Sequence, residues 1–342
     1  MIAGGLLGCS STSVNEGGGG GSAGAASGGS AGSSGSGGSA GNGTSGSSGS
    51  GGSGGSSASG GSGGTATGGS AGTAGSAGTA GSAGTAGTGG GASLDPCDAI
   101  IKDDALACDG FGAKTITANT NWSAGCQEYT ALVIDAVTVT AETDPFGKPT
   151  TIIADTIELK LGATLTATGN GYAKGTGPGK GSTFNQYGSG GGHGGKGADR
   201  GTAAGGIVYG ERMLPITAGS GGGIGTVNTG GAGGGALRLC ARQTLIVDGA
   251  IESDGDGSGP GGAGAGGSVL LISPVISGAG ALSAQGGLAD YPACGAAGAS
   301  GGGGRIALRM TTNSFTGTIN VDGVTNCNMT SESGTSFLGP LP

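Results

Sequence analysis

Two short segments of the chain alternate between apolar and polar residues. Residues 133–139 (VIDAVTV) are matched by residues 153–159 (IADTIEL), apolar to apolar and Asp135 to Asp155, at a shift of twenty positions. Alternation at every second position is typical of a half-buried β-strand. The pattern therefore predicts two copies of one strand-forming unit.

A second pattern of seven residues occurs four times with slight variation. A small residue stands at its first and fifth positions, Ile or Leu at the third and Gly at the seventh. The last three copies each follow another short apolar segment, and that segment follows a glycine cluster. A unit of this length cannot cover its own apolar face, whereas stacked copies bury their apolar residues in one column. The apolar residues of the four copies are Leu165, Ile251, Leu282 and Ile319, and the preceding segments are residues 236–239, 268–271 and 305–308.

These repeats predict an all-β fold, namely a parallel β-solenoid like a right-handed β-helix with glycine-rich loops. Glycine suits the corners because it adopts backbone conformations that other residues avoid. Two other architectures stay open. A β-sandwich would show turn signals every 8 to 12 residues or so, without internal copies. A bundle of extended polyglycine helices would account for residues 188–197 and 219–235, where no apolar alternation is visible.

Composition divides the chain into three parts. Glycine supplies 93 of the 342 residues, far above the roughly 7% of ordinary proteins. Residues 1–9 are a short apolar start, residues 10–93 are mostly Gly, Ser, Ala and Thr, and residues 94–342 contain the repeats, with a cysteine-rich cap at 94–130. The middle part has nothing to bury against an ordering cost of about 1–2 kcal/mol per residue, so we expect a long disordered linker.

The charge balance argues against one class of partner. The formal net charge is −8, and only 13 residues are Lys or Arg. Binding to a phosphate backbone needs clustered basic residues, so we expect no nucleic-acid partner. The sequence also has no run approaching the roughly 20 apolar residues of a transmembrane helix.

The first residues suggest another route to a membrane. Residues 6–9 (LLGC) resemble the lipobox of bacterial lipoproteins, in which the cysteine is lipidated and becomes the new N-terminus. The resemblance implies a lipid on Cys9, a membrane partner, and a place in the cell envelope as an outer-membrane lipoprotein facing the surface or the periplasm. More than one acyl chain gives stable anchoring. Because a basic segment is missing and the apolar segment is short, we expect the natural start to lie upstream of Met1.

Residues 186–310 carry a second resemblance. Segments such as GSGGGHGGKG, GGAGGGALRL and GGAGAGGSVLL resemble the glycine-rich surface domains of secreted bacterial proteins and some eukaryotic glycine-rich proteins. That resemblance implies location and fold, and it implies no reaction.

Six cysteines besides Cys9 suggest disulfides in an exported protein. Six cysteines allow 15 complete pairings, and the sequence does not choose among them. The first three lie close together and are expected to staple the N-terminal edge of the solenoid. A zinc site is the weaker reading, since there is no CxxC and the one histidine is remote. The six are Cys97, Cys108, Cys126, Cys240, Cys294 and Cys327.

Two segments carry candidate chemistry. His193, the only histidine, lies among glycines, and we interpret it as a corner residue that hydrogen-bonds to the backbone, so that His193→Ala would leave the fold intact. Glu252, Asp254 and Asp256 alternate with small residues, as in calcium loops built on Asp–x–Asp–Gly. Oxygen ligands on tight glycine turns are what Ca²⁺ prefers, so calcium is the one cofactor that the sequence suggests.

No catalytic residue is predicted, and the sequence favours a non-enzymatic, lipid-anchored surface protein with a structural or adhesive role. The alternative is a β-helix protein that binds or cleaves a polysaccharide, because sparse basic residues cluster locally and could face an acidic glycan. Fold analogy alone does not establish such an activity. The basic residues are Lys174, Lys180, Lys196 and Arg200.

Overall fold

The computed structural model describes residues 95–98, 107–144, 146–290 and 293–342. In these residues the fold is all-β, with one short 3₁₀ turn at Thr226–Asn228. The strands in chain order are β1 (Cys108–Gly110), β2 (Lys114–Ile116), β3 (Thr120–Trp122), β4 (Cys126–Ile134), β5 (Thr138–Ala141), β6 (Thr150–Leu159), β7 (Thr164–Thr166), β8 (Thr183–Phe184), β9 (Tyr187–Gly188), β10 (Ala236–Val247), β11 (Ala250–Glu252), β12 (Ser268–Ile272), β13 (Val275–Gly278), β14 (Ala281–Ser283), β15 (Arg305–Arg309), β16 (Thr312–Phe315), β17 (Thr318–Asn320), β18 (Thr325–Asn326), β19 (Met329–Thr330) and β20 (Thr335–Gly339).

Two parallel sheets contain most of these strands. A ten-stranded sheet runs in the order β1-β4-β6-β10-β12-β15-β20, with β2 paired to β4, β13 to β10 and β16 to β13. A six-stranded sheet runs in the order β17-β14-β11-β7-β5-β3. The chain alternates between the two sheets, so each sheet adds one strand at a time in nearly sequential order. Two small antiparallel pairs, β8 with β9 and β18 with β19, lie outside them.

The second sequence pattern gives the true register of the six-stranded sheet. Leu165 pairs with Ile251, Ile251 with Leu282, and Leu282 with Ile319. The preceding segments also pair in register, Ala236 with Ser268 and Ser268 with Arg305. The predicted stacking of these copies is confirmed.

The twenty-residue shift between the first two segments is not the structural register. Strand β4 pairs with β6 so that Leu132 lies opposite Ile157 and Ile134 opposite Leu159. Val139 belongs instead to the six-stranded sheet, where it pairs with Leu165. The observed shift is 25 positions, which differs from twenty by an odd number, so the two alignments would turn opposite faces of the strands towards the core. Burial of these large residues selects the observed one.

Inward-facing side chains from both sheets form one core. Leu239 of the larger sheet lies in register with Ile152 and Leu271, and all three are fully buried. Leu165 and Ile251 of the smaller sheet belong to the same cluster. Burying one such side chain contributes roughly 1.5–3 kcal/mol, so the columns of apolar residues are the main stabilising feature.

Glycine-rich connectors form a further layer. They run from the smaller sheet back to the larger one and hydrogen-bond to one another through their backbones, as when Gly231 N donates to Gly262 O and Gly266 N donates to Gly302 O. The sequence left polyglycine packing open at residues 188–197 and 219–235, and these segments do pack by backbone contact. The four connectors are residues 167–235, 253–267, 284–304 and 321–334.

The connectors keep the register of the strands that follow them. A Cβ atom built on Gly264 would overlap the carbonyl oxygen of Ala232, and one built on Gly301 would overlap that of Gly264. These offsets equal the offsets between β10, β12 and β15. Glycine is therefore required at such positions because backbone lies where a side chain would begin.

The six cysteines of the folded region form three disulfides. Cys108 pairs with Cys126 and so joins the neighbouring strands β1 and β4. The pairs Cys97–Cys240 and Cys294–Cys327 span longer stretches of chain. The sequence predicted disulfides and left their pairing open. Two of the three cysteines expected at the N-terminal edge pair with each other, and the third reaches β10 in the middle of the larger sheet.

Candidate functional site

An open cavity of about 540 Å³ lies where β2 and β4 of the larger sheet face β3, the terminal strand of the smaller one. Ligand sites are concave, about 300–1,000 Å³ in size, and combine apolar walls with a few polar groups. This end cavity has both kinds of lining. Its residues are Asp109, Phe111, Lys114, Thr115, Ile116, Thr117, Ala118, Asn119, Thr120, Trp122, Gln127 and Tyr129.

Three aromatic side chains form part of its wall. Tyr129 and Trp122 face inward from β4 and β3 and are nearly buried. Phe111, just after β1, stacks on Tyr129 with ring centroids 5.3 Å apart and rings 25° from parallel. Phe111 is 50% exposed, so one face of its ring meets Tyr129 while part of the ring stays open. Burial raises the pKa of the Tyr129 hydroxyl, so it is neutral near pH 7.

Two amide side chains of the lining are fixed by their oxygen atoms. Asn119 Oδ1 accepts a hydrogen bond from Thr138 N at 2.9 Å, and Gln127 Oε1 accepts one from the Tyr129 hydroxyl at 2.7 Å. Within the described part of the chain, neither side-chain amino group donates to another protein group. Each amide thus holds an oriented pair of N–H donors beside the aromatic wall.

The sequence reasoning did not identify this cavity. The signal was present, since the chain has only five Phe, five Tyr and one Trp, and three of these lie between positions 111 and 129. What the sequence does not show is that β2, β3 and β4 bring them to one place.

His193 lies in the interior and not in an open loop. Its side chain is fully buried, and Nδ1 lies 2.9 Å from Gly266 O while Nε2 lies 3.1 Å from Thr217 Oγ1. Nδ1 therefore carries the proton that Gly266 O accepts, and Nε2 accepts from the threonine hydroxyl. The ring also packs against Tyr209, with centroids 4.8 Å apart. The backbone hydrogen bond fits the corner interpretation, but the expectation that His193→Ala leaves the fold intact does not fit this burial.

Arg305 and Tyr209 complete this buried polar cluster. Arg305 donates from Nε and Nη2 to the carbonyl oxygen of Tyr209 at 3.0 and 2.8 Å. The Tyr209 hydroxyl donates to Ala218 O and accepts from Ser220 Oγ. The cluster links segments that are distant in sequence.

Folding stability should depend on pH through His193. Burial, with a smaller contribution from the charge of Arg305, lowers its pKa from 6.5 to about 4. As the pH falls, the histidine is therefore protonated at a higher pH in the unfolded chain than in the folded chain. The stabilisation that this residue provides above about pH 6.5 is lost as the pH falls towards about 4. We expect a loss of about 3 kcal/mol from this residue. Urea unfolding at several pH values measures it, and His193→Gln should remove this part of the pH dependence. An identical slope in both proteins would contradict the assignment.

The three carboxylates suggested for calcium are not gathered into a metal site. No group of three or more His, Cys, Asp and Glu residues in the described part of the chain could hold a metal ion. Asp254 Oδ1 instead accepts hydrogen bonds from Ser283 Oγ and Gln285 N, both at 2.6 Å. Burial raises the pKa of Glu252, with a contribution from Asp254, and burial also raises that of Asp256.

Three of the four sparse basic residues contact other protein groups through their side chains. Lys196 forms an ion pair with Asp199 at 2.8 Å. Lys174 donates to Asn228 O, and Arg200 donates to Gly295 O at 2.7 Å while covering the ring of Tyr187. These side chains are used to hold connectors.

One acid–base cluster does lie across consecutive strands. Arg242 of β10 pairs with Asp95, with Glu128 of β4 and with Asp155 of β6. All three nitrogens of its guanidinium face a carboxylate, so the cluster is closed on itself. Together with the disulfide Cys97–Cys240, it attaches residues 95–98 to the larger sheet.

Cys9, the predicted lipidation site, and the linker at residues 10–93 lie outside the described residues. Among the residues that are described, no helix is long and apolar enough to span a bilayer. No protein-family model, no curated protein and no solved structure matches this chain.

Proposed function

We propose that this chain is a non-enzymatic protein of the cell envelope that is anchored through a lipid on Cys9. A flexible linker joins this anchor to a parallel, right-handed β-helix-like solenoid, which has a structural or adhesive role. It then belongs with the glycine-rich surface domains that residues 186–310 resemble. The in-register pairing of strands and connectors supports the solenoid, since the coils that lead to β12 and β15 add the same offset to both.

The outward face of the six-stranded sheet supports a structural or adhesive role. Its side chains form two rows, and Glu252 is the one ionisable residue among them. A sheet face without converging acids and bases suits a structural or adhesive surface better than a catalytic one. The rows are Thr138, Thr164, Ala250, Ala281 and Thr318, and Asn121, Thr140, Thr166, Glu252, Ser283 and Asn320.

Two measurements test the proposal. Mass spectrometry of the envelope fraction should find diacylglycerol on Cys9, and an unmodified Cys9 there would refute the anchor. Incubation with acidic glycans should release no unsaturated products. If such products appear, the chain is a polysaccharide lyase, which is the competing function.

A further inference from the structure

We propose that the end cavity binds one ring of an uncharged saccharide. This inference rests on the adhesive role proposed above and names the ligand that would serve it. A saccharide ring has an apolar face of C–H groups and a rim of hydroxyl groups that both donate and accept hydrogen bonds. The cavity offers a partner for each of these features.

The apolar face of a sugar needs a flat apolar surface that is partly open. Phe111 supplies one, because its ring is 50% exposed and is held in place by stacking on Tyr129. The other two aromatic side chains of the lining, Trp122 and Tyr129, are nearly buried and form the floor of the end cavity. Binding to this preformed wall costs little side-chain entropy, because the Phe111 ring is already held in one orientation by stacking.

The hydroxyl rim needs donors and acceptors in fixed positions. The amino groups of Asn119 and Gln127 are oriented by the hydrogen bonds of their oxygens, so both are available as donors to sugar oxygens. The carboxylate of Asp109 lines the same cavity and can accept from sugar hydroxyls. A site built to satisfy hydroxyl groups discriminates against ligands that lack them, because its polar groups would then be unpaired.

Charge favours a neutral ring over an acidic one. Among the described residues of the lining, Asp109 and Lys114 are the only ionisable side chains apart from the neutral Tyr129, and their charges are opposite. The cavity therefore carries no net charge to attract a uronic or sulfated sugar. The volume of about 540 Å³ lies within the range of small-ligand sites.

The single tryptophan makes the site directly observable. Trp122 is the only Trp of the chain and lines the cavity, so its fluorescence reports on this site and no other. Titration of the full chain with neutral hexasaccharides of glucose, mannose and galactose should give a saturable change with at least one of them. An oligogalacturonate of equal length should bind at least tenfold more weakly.

Matched variants locate the binding. Gln127→Glu and Asn119→Asp keep the oxygen that accepts the internal hydrogen bond and remove the amino donors, so each should weaken binding about tenfold with little effect on the melting temperature. Phe111→Ala should weaken it similarly. Phe146→Ala is the control, because Phe146 is 78% exposed and lies at a different cavity; its affinity should be unchanged.

Three results would overturn the inference. These are the absence of saturable fluorescence change with all three neutral series at millimolar concentration, unchanged affinity in Phe111→Ala and Gln127→Glu, or binding of the oligogalacturonate that is equal to or tighter than that of the neutral series. Lipidation of Cys9 and recovery in the envelope fraction are measured separately. They would leave the anchored surface role standing if the sugar site failed.

Discussion

Gly264→Ala is expected to destabilise the folded domain by about 4 kcal/mol. Gly264 is buried in the connector at 253–267, and the added Cβ would overlap the backbone carbonyl of Ala232. Overpacking in a close-packed interior costs roughly 1–3 kcal/mol. Here the obstacle is backbone, so the connectors must separate and lose hydrogen bonds such as that from Gly287 N to Gly264 O, each worth about 1 kcal/mol. Urea unfolding followed by circular dichroism measures the difference.

Gly112→Ala is the matched control for this prediction. A Cβ atom at Gly112 would meet nothing within 4 Å, and its backbone does not need a positive φ. The same chemical change should therefore be neutral or stabilise slightly, since alanine restricts the unfolded chain. Equal unfolding midpoints for the two variants would mean that the connectors do not pack as described.

The sequence predicted the register of the strands correctly where its pattern contained more than an alternation of apolar and polar residues. The pattern around Leu165, Ile251, Leu282 and Ile319 combines an apolar residue with small residues and a glycine at fixed distances, and these residues do pair in register. The segments at 133–139 and 153–159 offered alternation alone. Alternation alone did not fix the register, and the structure pairs β4 with β6 at a shift of 25 positions, which turns the opposite face of the strand inward.

The surroundings of the predicted site residues could not be read from the sequence for a related reason. Asp254 and Asp256 are near neighbours in sequence, yet the Asp254 carboxylate is used in hydrogen bonds to Ser283 and Gln285. Glycine neighbours made His193 look free, although the glycines allow other backbones to close around it. Local composition indicates which residue types are present, whereas burial depends on segments that are distant in sequence.

Removing the disulfide Cys97–Cys240 is expected to destabilise the domain by about 5 kcal/mol. The two cysteines are fully buried and lie 143 positions apart. A crosslink reduces the entropy of the unfolded chain more as the loop it closes becomes longer. The double variant Cys97→Ala with Cys240→Ala releases that constraint and leaves the ion pair of Arg242 with Asp95 in place. The free energy of unfolding of the original protein and of the double variant is measured by thermal and urea unfolding under oxidising conditions.

The pair Cys108–Cys126 provides the comparison that separates loop entropy from local packing. Its cysteines are 18 positions apart, so the same relation gives a loss of about 3 kcal/mol for the corresponding double alanine variant. Packing around Cys97 and Cys240 includes Ile153 and Ile272 of the smaller apolar cluster, and alanine also leaves a cavity there. A larger loss for the long-range pair is therefore expected on both grounds. An equal or smaller loss would show that residues 95–98 are held to the sheet chiefly by the carboxylate–Arg242 contacts.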